Sequence, residues 1–187
     1  MLSLPLDILA RAVMIEGPDF NQIILVERKE QQNTKKADKV VWGDFGIDHI
    51  LLLVKNVKDN EIFFQDVFAG RVTGRRLNVT TMRVANSTIV LAEPESLGLK
   101  RENIEPQNIK KLRYGIDQLG FLYADVRPAV SAAMEKGYKF MIDGVRMNYY
   151  GVPTAYVVAV THSPDGVRCE MVQEEGRKGP RIKVEIK

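Results

Sequence analysis

The chain reads as an α+β protein built from two tandem strand-helix-strand-strand-strand units, and three observations predict this. Gly46-Ile47-Asp48-His49-Ile50-Leu51-Leu52-Leu53-Val54-Lys55-Asn56-Val57 returns 69 positions later as Gly115-Ile116-Asp117-Gln118-Leu119-Gly120-Phe121-Leu122-Tyr123-Ala124-Asp125-Val126. Each copy runs from one polar residue through an apolar run to a short polar turn, the pattern of a strand feeding a helix. The closing strands also match, Ile89-Val90-Leu91-Ala92-Glu93 against Cys169-Glu170-Met171-Val172-Gln173. Between the two ends of each copy, the chain alternates apolar and polar residues and is punctuated by turn residues, as further strands require.

In chain order, residues 8–16 and 22–28 predict two strands around the turn Gly17-Pro18-Asp19-Phe20-Asn21. With Pro18-Asp19 echoing Pro164-Asp165, residues 1–28 resemble the tail half of a third, incomplete copy. Residues 29–45 are mostly polar and aperiodic and predict a linker. The first module, 46–96, predicts a strand at 48–54, a helix at 58–68 with Gly70 as its C-terminal cap, and strands at 71–75, 80–85 and 88–93, the last two joined by Asn86-Ser87. Residues 97–113 form a polar connection. The second module, 114–175, predicts a strand at 117–123 and a helix at 127–136 with Pro128 in its first turn and Gly137 as its stop. Strands follow at 139–143, 154–161 and 167–173, the last pair joined by Ser163-Pro164-Asp165-Gly166. Residues 176–187 are a basic tail, with 181–186 alternating like an edge strand.

Composition narrows the function classes. With 27 Lys and Arg against 24 Asp and Glu, the net charge is only +3 and the signs are interspersed, which argues against nucleic acid as a partner. No stretch approaches the roughly 20 apolar residues of a membrane span, and no export signal is visible. One cysteine, Cys169, excludes an intramolecular disulfide, and two histidines are too few for a zinc finger. The expected compartment is the cytoplasm. His49 and Gln118 begin equivalent strands, and both residue types can coordinate a divalent metal through a neutral atom.

A tandem repeat of this order, with His49 at a first strand and Glu170 on a last one, resembles the vicinal oxygen chelate superfamily, which includes glyoxalase I, extradiol dioxygenases, methylmalonyl-CoA epimerases and bleomycin-resistance proteins. The resemblance covers about residues 46–173, and Gly46-Ile47-Asp48-His49 and Ser163-Pro164-Asp165-Gly166-Val167-Arg168-Cys169-Glu170 are its sharpest pieces. It implies two βαβββ modules forming an open barrel-like sheet around a cavity that holds a metal. The ligand candidates it carries over are His49, Val90, Gln118 and Glu170. Val90 departs from the pattern because it is apolar, and Glu93, three residues on, falls on the opposite strand face. Gln118 departs because an amide oxygen is a weaker donor than imidazole. His162, paired near Val167, is expected to point away from the cavity.

The resemblance thus implies a divalent-metal enzyme (isomerase, epimerase, lyase or dioxygenase) acting on a small oxygen-chelating substrate. His49, Gln118 and Glu170 would hold Fe, Mn, Ni or Zn, and Glu170 would also be catalytic. The alternative is a metal-free small-molecule binding or resistance-type protein with the same fold. Arg146, Tyr149, Tyr150 and Tyr156 are candidates for closing the cavity, against a plainer role in packing. Pairing of modules between subunits, common in that superfamily, implies a homodimer.

Overall fold

The computed structural model describes residues 9–16, 22–28, 49–85, 87–100, 118–148 and 154–176. Strands β1 (Leu9–Glu16) and β2 (Gln22–Arg28) form an antiparallel hairpin. The first module follows as β3 (Ile50–Leu53), α1 (Val57–Phe68), β4 (Arg71–Arg76), β5 (Val79–Val84) and β6 (Ser87–Ala92). The second is β7 (Gln118–Leu122), α2 (Val126–Glu135), β8 (Phe140–Asn148), β9 (Ala155–His162) and β10 (Arg168–Glu174). The two sheets have the same order, β3-β6-β5-β4 and β7-β10-β9-β8, with the first and last strands of each module parallel neighbours. The architecture is α+β as expected, and the two four-stranded sheets do not close into a barrel. The predicted linker and the alternating tail at 181–186 lie outside the described residues.

The repeat is physical as well as textual, because both helices start by the same device. Asn56 Oδ1 accepts from the N–H groups of Lys58 (2.8 Å) and Asp59 (3.2 Å), and Asp125 Oδ1 accepts from Arg127 N (3.1 Å), so each N-cap satisfies orphan donors of the first turn. One further N–H in each helix is met from the closing strand. Val57 N donates to Glu93 Oε1 (3.4 Å) and Val126 N donates to Gln173 Oε1 (3.0 Å). The matched residues at the ends of β6 and β10 therefore both reach a helix start.

Three local readings are corrected. The left-handed residue that ends α1 is Ala69 (φ 51°), not Gly70. Gly70 instead lies where a side chain has no room, since a Cβ there would sit 2.9 Å from the Phe64 carbonyl oxygen. Val84 pairs with Ser87, so Ser87 belongs to β6 and not to the turn, and Ala85 leaves β5 at φ 51°. Strand β8 continues to Asn148 because register shifts absorb its irregular stretch, one of them beside Gly144 at φ 95°.

Alternation on the strands divides each sheet into a helix-bearing and a helix-free face. Leu52, Met82, Ile89 and Leu91 pack with Phe63, Phe64 and Phe68 of α1, and Leu119, Phe121, Val157, Cys169 and Met171 pack with Val126, Val130 and Ala133 of α2, all within one continuous core. The modules meet there. The Phe68 and Phe121 ring centroids are 4.7 Å apart, and the Tyr123 hydroxyl donates to Val67 O at 3.3 Å. Asp66 receives Lys136 Nζ (2.7 Å) and the Tyr138 hydroxyl (3.0 Å), while Asp165, from the β9–β10 turn, receives Lys55 N (3.0 Å) and Asn60 Nδ2 (2.7 Å). Among the described residues no helix is long and apolar enough to cross a membrane.

Candidate functional site

On the second sheet, Leu119 and Phe121 of β7 and Cys169 and Met171 of β10 face the core, so Gln118, Gly120, Arg168 and Glu170 face the helix-free side. The parallel register sets Gln118 opposite Arg168 and Gly120 opposite Glu170. Gln118 and Glu170 are thus diagonal neighbours, and Gln118 Nε2 donates to Glu170 Oε2 at 3.0 Å. Gly120 makes this meeting open to a ligand. It adds no side chain across from the carboxylate, and a Cβ in its place would lie 3.9 Å from Glu170 Oε2. Glu170 is half-buried, and its carboxyl is pushed above the ordinary glutamate value by burial, with the Arg168 charge pulling the other way.

His162 pairs with Arg168 in the antiparallel β9–β10 ladder rather than near Val167. Directly opposed residues share a face, so His162 lies on the same side as Glu170, contrary to the sequence expectation. The turn is one residue longer than expected, ending at Val167 and not at Gly166: Ser163 N donates to Val167 O and Gly166 N to Ser163 O, both at 2.9 Å. A row His162–Arg168–Gln118 therefore crosses the sheet, with Glu170 one step beyond it.

His49 stands elsewhere, immediately before β3 on the first sheet, half-buried, in step with Leu51 and Leu53. Val90, the first-module counterpart of Glu170, is buried with Val79 and Ala92, and Leu51, Leu53 and Leu97 pack against them. Glu93 holds the start of α1 and the Asn78 amide (3.3 Å). Arg146 is engaged by Glu175 through two bonds of 3.0 Å, and Tyr149 and Tyr150 lie outside the described residues. Cys169 is buried on the core side, where burial pushes its thiol up to about 12, so it is protonated at neutral pH and unsuited to nucleophilic work.

Two separate sheets of order 1-4-3-2, each carrying its helix on one face, match solved structures. An integron cassette protein from the mobile metagenome of V. cholerae aligns over 72% of this chain and 98% of its own at a TM-score of 0.52 and 19% identity. A glyoxalase/bleomycin resistance protein/dioxygenase from Alicyclobacillus acidocaldarius aligns over 72% of this chain and 96% of its own at a TM-score of 0.51 and 12% identity. The fold is a vicinal oxygen chelate fold. No family model and no curated protein sequence matches the chain.

That fold implies a divalent metal, and the donor set can be tested against it. Gln118 turns its amide nitrogen, not its oxygen, toward Glu170, and an amide N–H has no lone pair for a metal. The Arg168 guanidinium lies close enough to lower the Glu170 carboxyl, and His49 is on the other sheet. Among the described residues no three His, Cys, Asp or Glu side chains converge as a metal site needs. Gln118 and Glu170, as arranged, do not fit a divalent metal. One carboxylate oxygen is already satisfied by Gln118, and the carboxyl sits beside a cation, so it can accept a hydrogen bond or exchange a proton with a donor laid on the sheet. Arg168 and Gly120 were missed at the sequence level, although Arg168 is two residues from Glu170 and the strand period alone puts them together.

Proposed function

We propose that this protein binds a small molecule on the helix-free face of its second sheet, with Glu170 as the group that receives the ligand's hydrogen bond or proton. Gln118 orients the carboxylate, and Arg168 and His162 flank it, so the preferred ligand offers a hydroxyl or N–H donor beside an electron-rich group. The single observation that carries this reading is the 3.0 Å bond from Gln118 to Glu170, in which an exposed amide nitrogen holds a half-buried carboxylate. The glyoxalase, bleomycin-resistance and dioxygenase names of the similar fold agree with a small-molecule role. Within that range the geometry favours the binding or resistance type.

The second reading is the divalent-metal enzyme with His49, Gln118 and Glu170 as ligands. The adjacency of an amide and a carboxylate at two of the family's ligand positions favours it, and it requires the Gln118 amide to turn over, losing its bond to Glu170. A ligand-observed NMR screen of phenols, keto acids and amines, run with and without Mn(II), Ni(II) or Zn(II), separates the two. Binding of one class that is independent of metal and lost in Glu170→Ala is expected. Binding that appears only with metal, or that survives Glu170→Ala unchanged, would overturn the proposal. A homodimer remains part of the proposal, and sedimentation of the purified chain tests it.

A further inference from the structure

Among the described residues, Gly120 is the glycine that the fold does not require. Gly98, Gly137, Gly144, Gly166 and Gly176 have positive φ. Gly70 is walled by the Phe64 carbonyl, and Gly74 stands at the register shift of β4. Gly120 has none of these constraints. Its φ lies outside the left-handed region, and the β7–β10 register runs unbroken from Gln118↔Arg168 to Leu122↔Val172. A Cβ there would meet nothing closer than Glu170 Oε2 at 3.9 Å, an ordinary van der Waals distance. Glycine inside a strand weakens it relative to a residue with a side chain. Where the chain itself gives no reason for it, it marks a place where something comes close to the backbone.

That place is accessible. β7 is the outermost strand of its sheet, Gly120 and Gln118 are exposed, and Leu122 is 37% exposed. On the helix-free face Gly120 is the floor of a gap between the side chains of Gln118 and Leu122, whose Cα atoms are about 13 Å apart along the strand. The two ends of the gap differ. At one end the Gln118 amide holds the Glu170 carboxylate, and at the other Leu122 pairs with the half-buried Val172. We infer that Gly120 sets which ligand this site takes: a flat ring laid on the β7 backbone, with a hydroxyl or N–H on one edge donated to Glu170 and the opposite edge against Leu122 and Val172. The bare peptide admits a ring at van der Waals contact, and the gap has the length of one ring once the flanking side chains are counted. This inference rests on the Glu170 reading and adds to it the shape of the ligand and the residue that selects that shape.

The test titrates the whole chain with phenol, indole and cyclohexanol while following the backbone amide NMR signals of Leu122 and Val172. Saturable shifts with phenol and indole are expected, with cyclohexanol roughly tenfold weaker because a puckered ring buries less of itself against the strand. Gly120→Ala should weaken phenol and indole by roughly tenfold and Gly120→Leu should abolish their binding, while the urea midpoint of Gly120→Ala stays at or above wild type. Gly74→Ala, on the other sheet, should bind as wild type does. No saturable shift with any probe, binding that Gly120→Leu leaves intact, or equal affinity for cyclohexanol and phenol overturns the gap as the selecting feature. If Glu170→Ala abolishes binding that Gly120→Leu leaves intact, the Glu170 reading stands without it. Binding lost in Gly120→Leu but unchanged in Glu170→Ala overturns the Glu170 reading and the hydrogen bond assigned here. A Gly120→Leu chain that changes its sedimentation and not its probe affinity places another chain on β7 and overturns the inference.

Discussion

The end of α1 offers a sharp test of how the structure assigns roles to neighbouring residues. Gly70 donates its N–H to the Phe64 carbonyl at 2.9 Å, and a Cβ at position 70 would lie 2.9 Å from that same oxygen, 3.2 Å from its carbon and 3.1 Å from Met82 Cε. Carbon contacts are optimal near about 3.5–4.0 Å. The Met82 tip can swing, but the Phe64 carbonyl belongs to the helix and cannot retreat without losing the Gly70 bond. Overpacking of this kind costs about 1–3 kcal/mol, against which a Gly→Ala change recovers about 0.4–1 kcal/mol by restricting the unfolded chain. Gly70→Ala should therefore destabilise by about 1–2 kcal/mol, a drop in melting temperature of roughly 2–8 °C for a chain of this size. Ala69→Gly should do the opposite. A left-handed alanine is disfavoured by about 1–2 kcal/mol, and glycine's extra entropy loss is about 0.5–1 kcal/mol, so stability should rise by up to about 1 kcal/mol. Gly74→Ala is the control, because its nearest contact would be Thr81 Cβ at 3.9 Å. Urea unfolding of the three variants reads all of this. A Gly70→Ala midpoint at or above wild type would refute the close contact at position 70, and a lowered Ala69→Gly midpoint would refute the left-handed cap at position 69.

The remaining predictions concern the core, the module junction and titration. Phe68→Ala removes a ring 1% exposed that touches Phe63, Phe64 and Phe121, and should cost about 3–5 kcal/mol in urea unfolding. Asp165→Ala strips the acceptor from Lys55 N and the buried Asn60 amide, and should cost about 1–3 kcal/mol, with faster hydrogen exchange at Lys55 as its local signature. Two glutamates should show pH effects of opposite sign. Glu170 is raised by burial, so its contribution is fully present below the ordinary glutamate value near 4.5 and is lost as pH rises through the folded value. Glu170→Gln should accordingly gain stability on wild type at neutral pH and match it in acid. Glu61 is lowered, first by its hydrogen bonds from Arg75 (2.7 and 3.2 Å), so its contribution is present above 4.5 and is lost as pH falls through the folded value. Glu61→Gln should be less stable than wild type at neutral pH and converge with it in acid. Cys169, with its thiol at about 12, should resist a thiol reagent at pH 8 in the native protein and react on unfolding.

The order of elements was legible because burial on one face forces period-two alternation in strands and grouped apolar residues in helices, and these survive in a single sequence. The repeat itself was legible in the matched strands, and the structure adds its reason: Glu93 and Gln173 both hold the first N–H of a helix. What escaped depended on register. A shift of one residue in the β9–β10 turn moved His162 from the far face to the face of Glu170, and nothing in the residues of that turn fixes the count. Part of the Ser163–Glu170 phrase that drew attention as a site is the junction between modules, since Asp165 grips the first module.

The most direct test of the central claim is the titration of the Glu170 carboxyl, followed by its carboxyl carbon NMR signal with and without Zn(II). The account predicts a value above the ordinary glutamate range, raised further in Gln118→Ala as the amide donor is lost, and unmoved by equimolar Zn(II). A value at or below that range, or one that collapses when Zn(II) is added, would contradict it and restore Glu170 as a metal ligand.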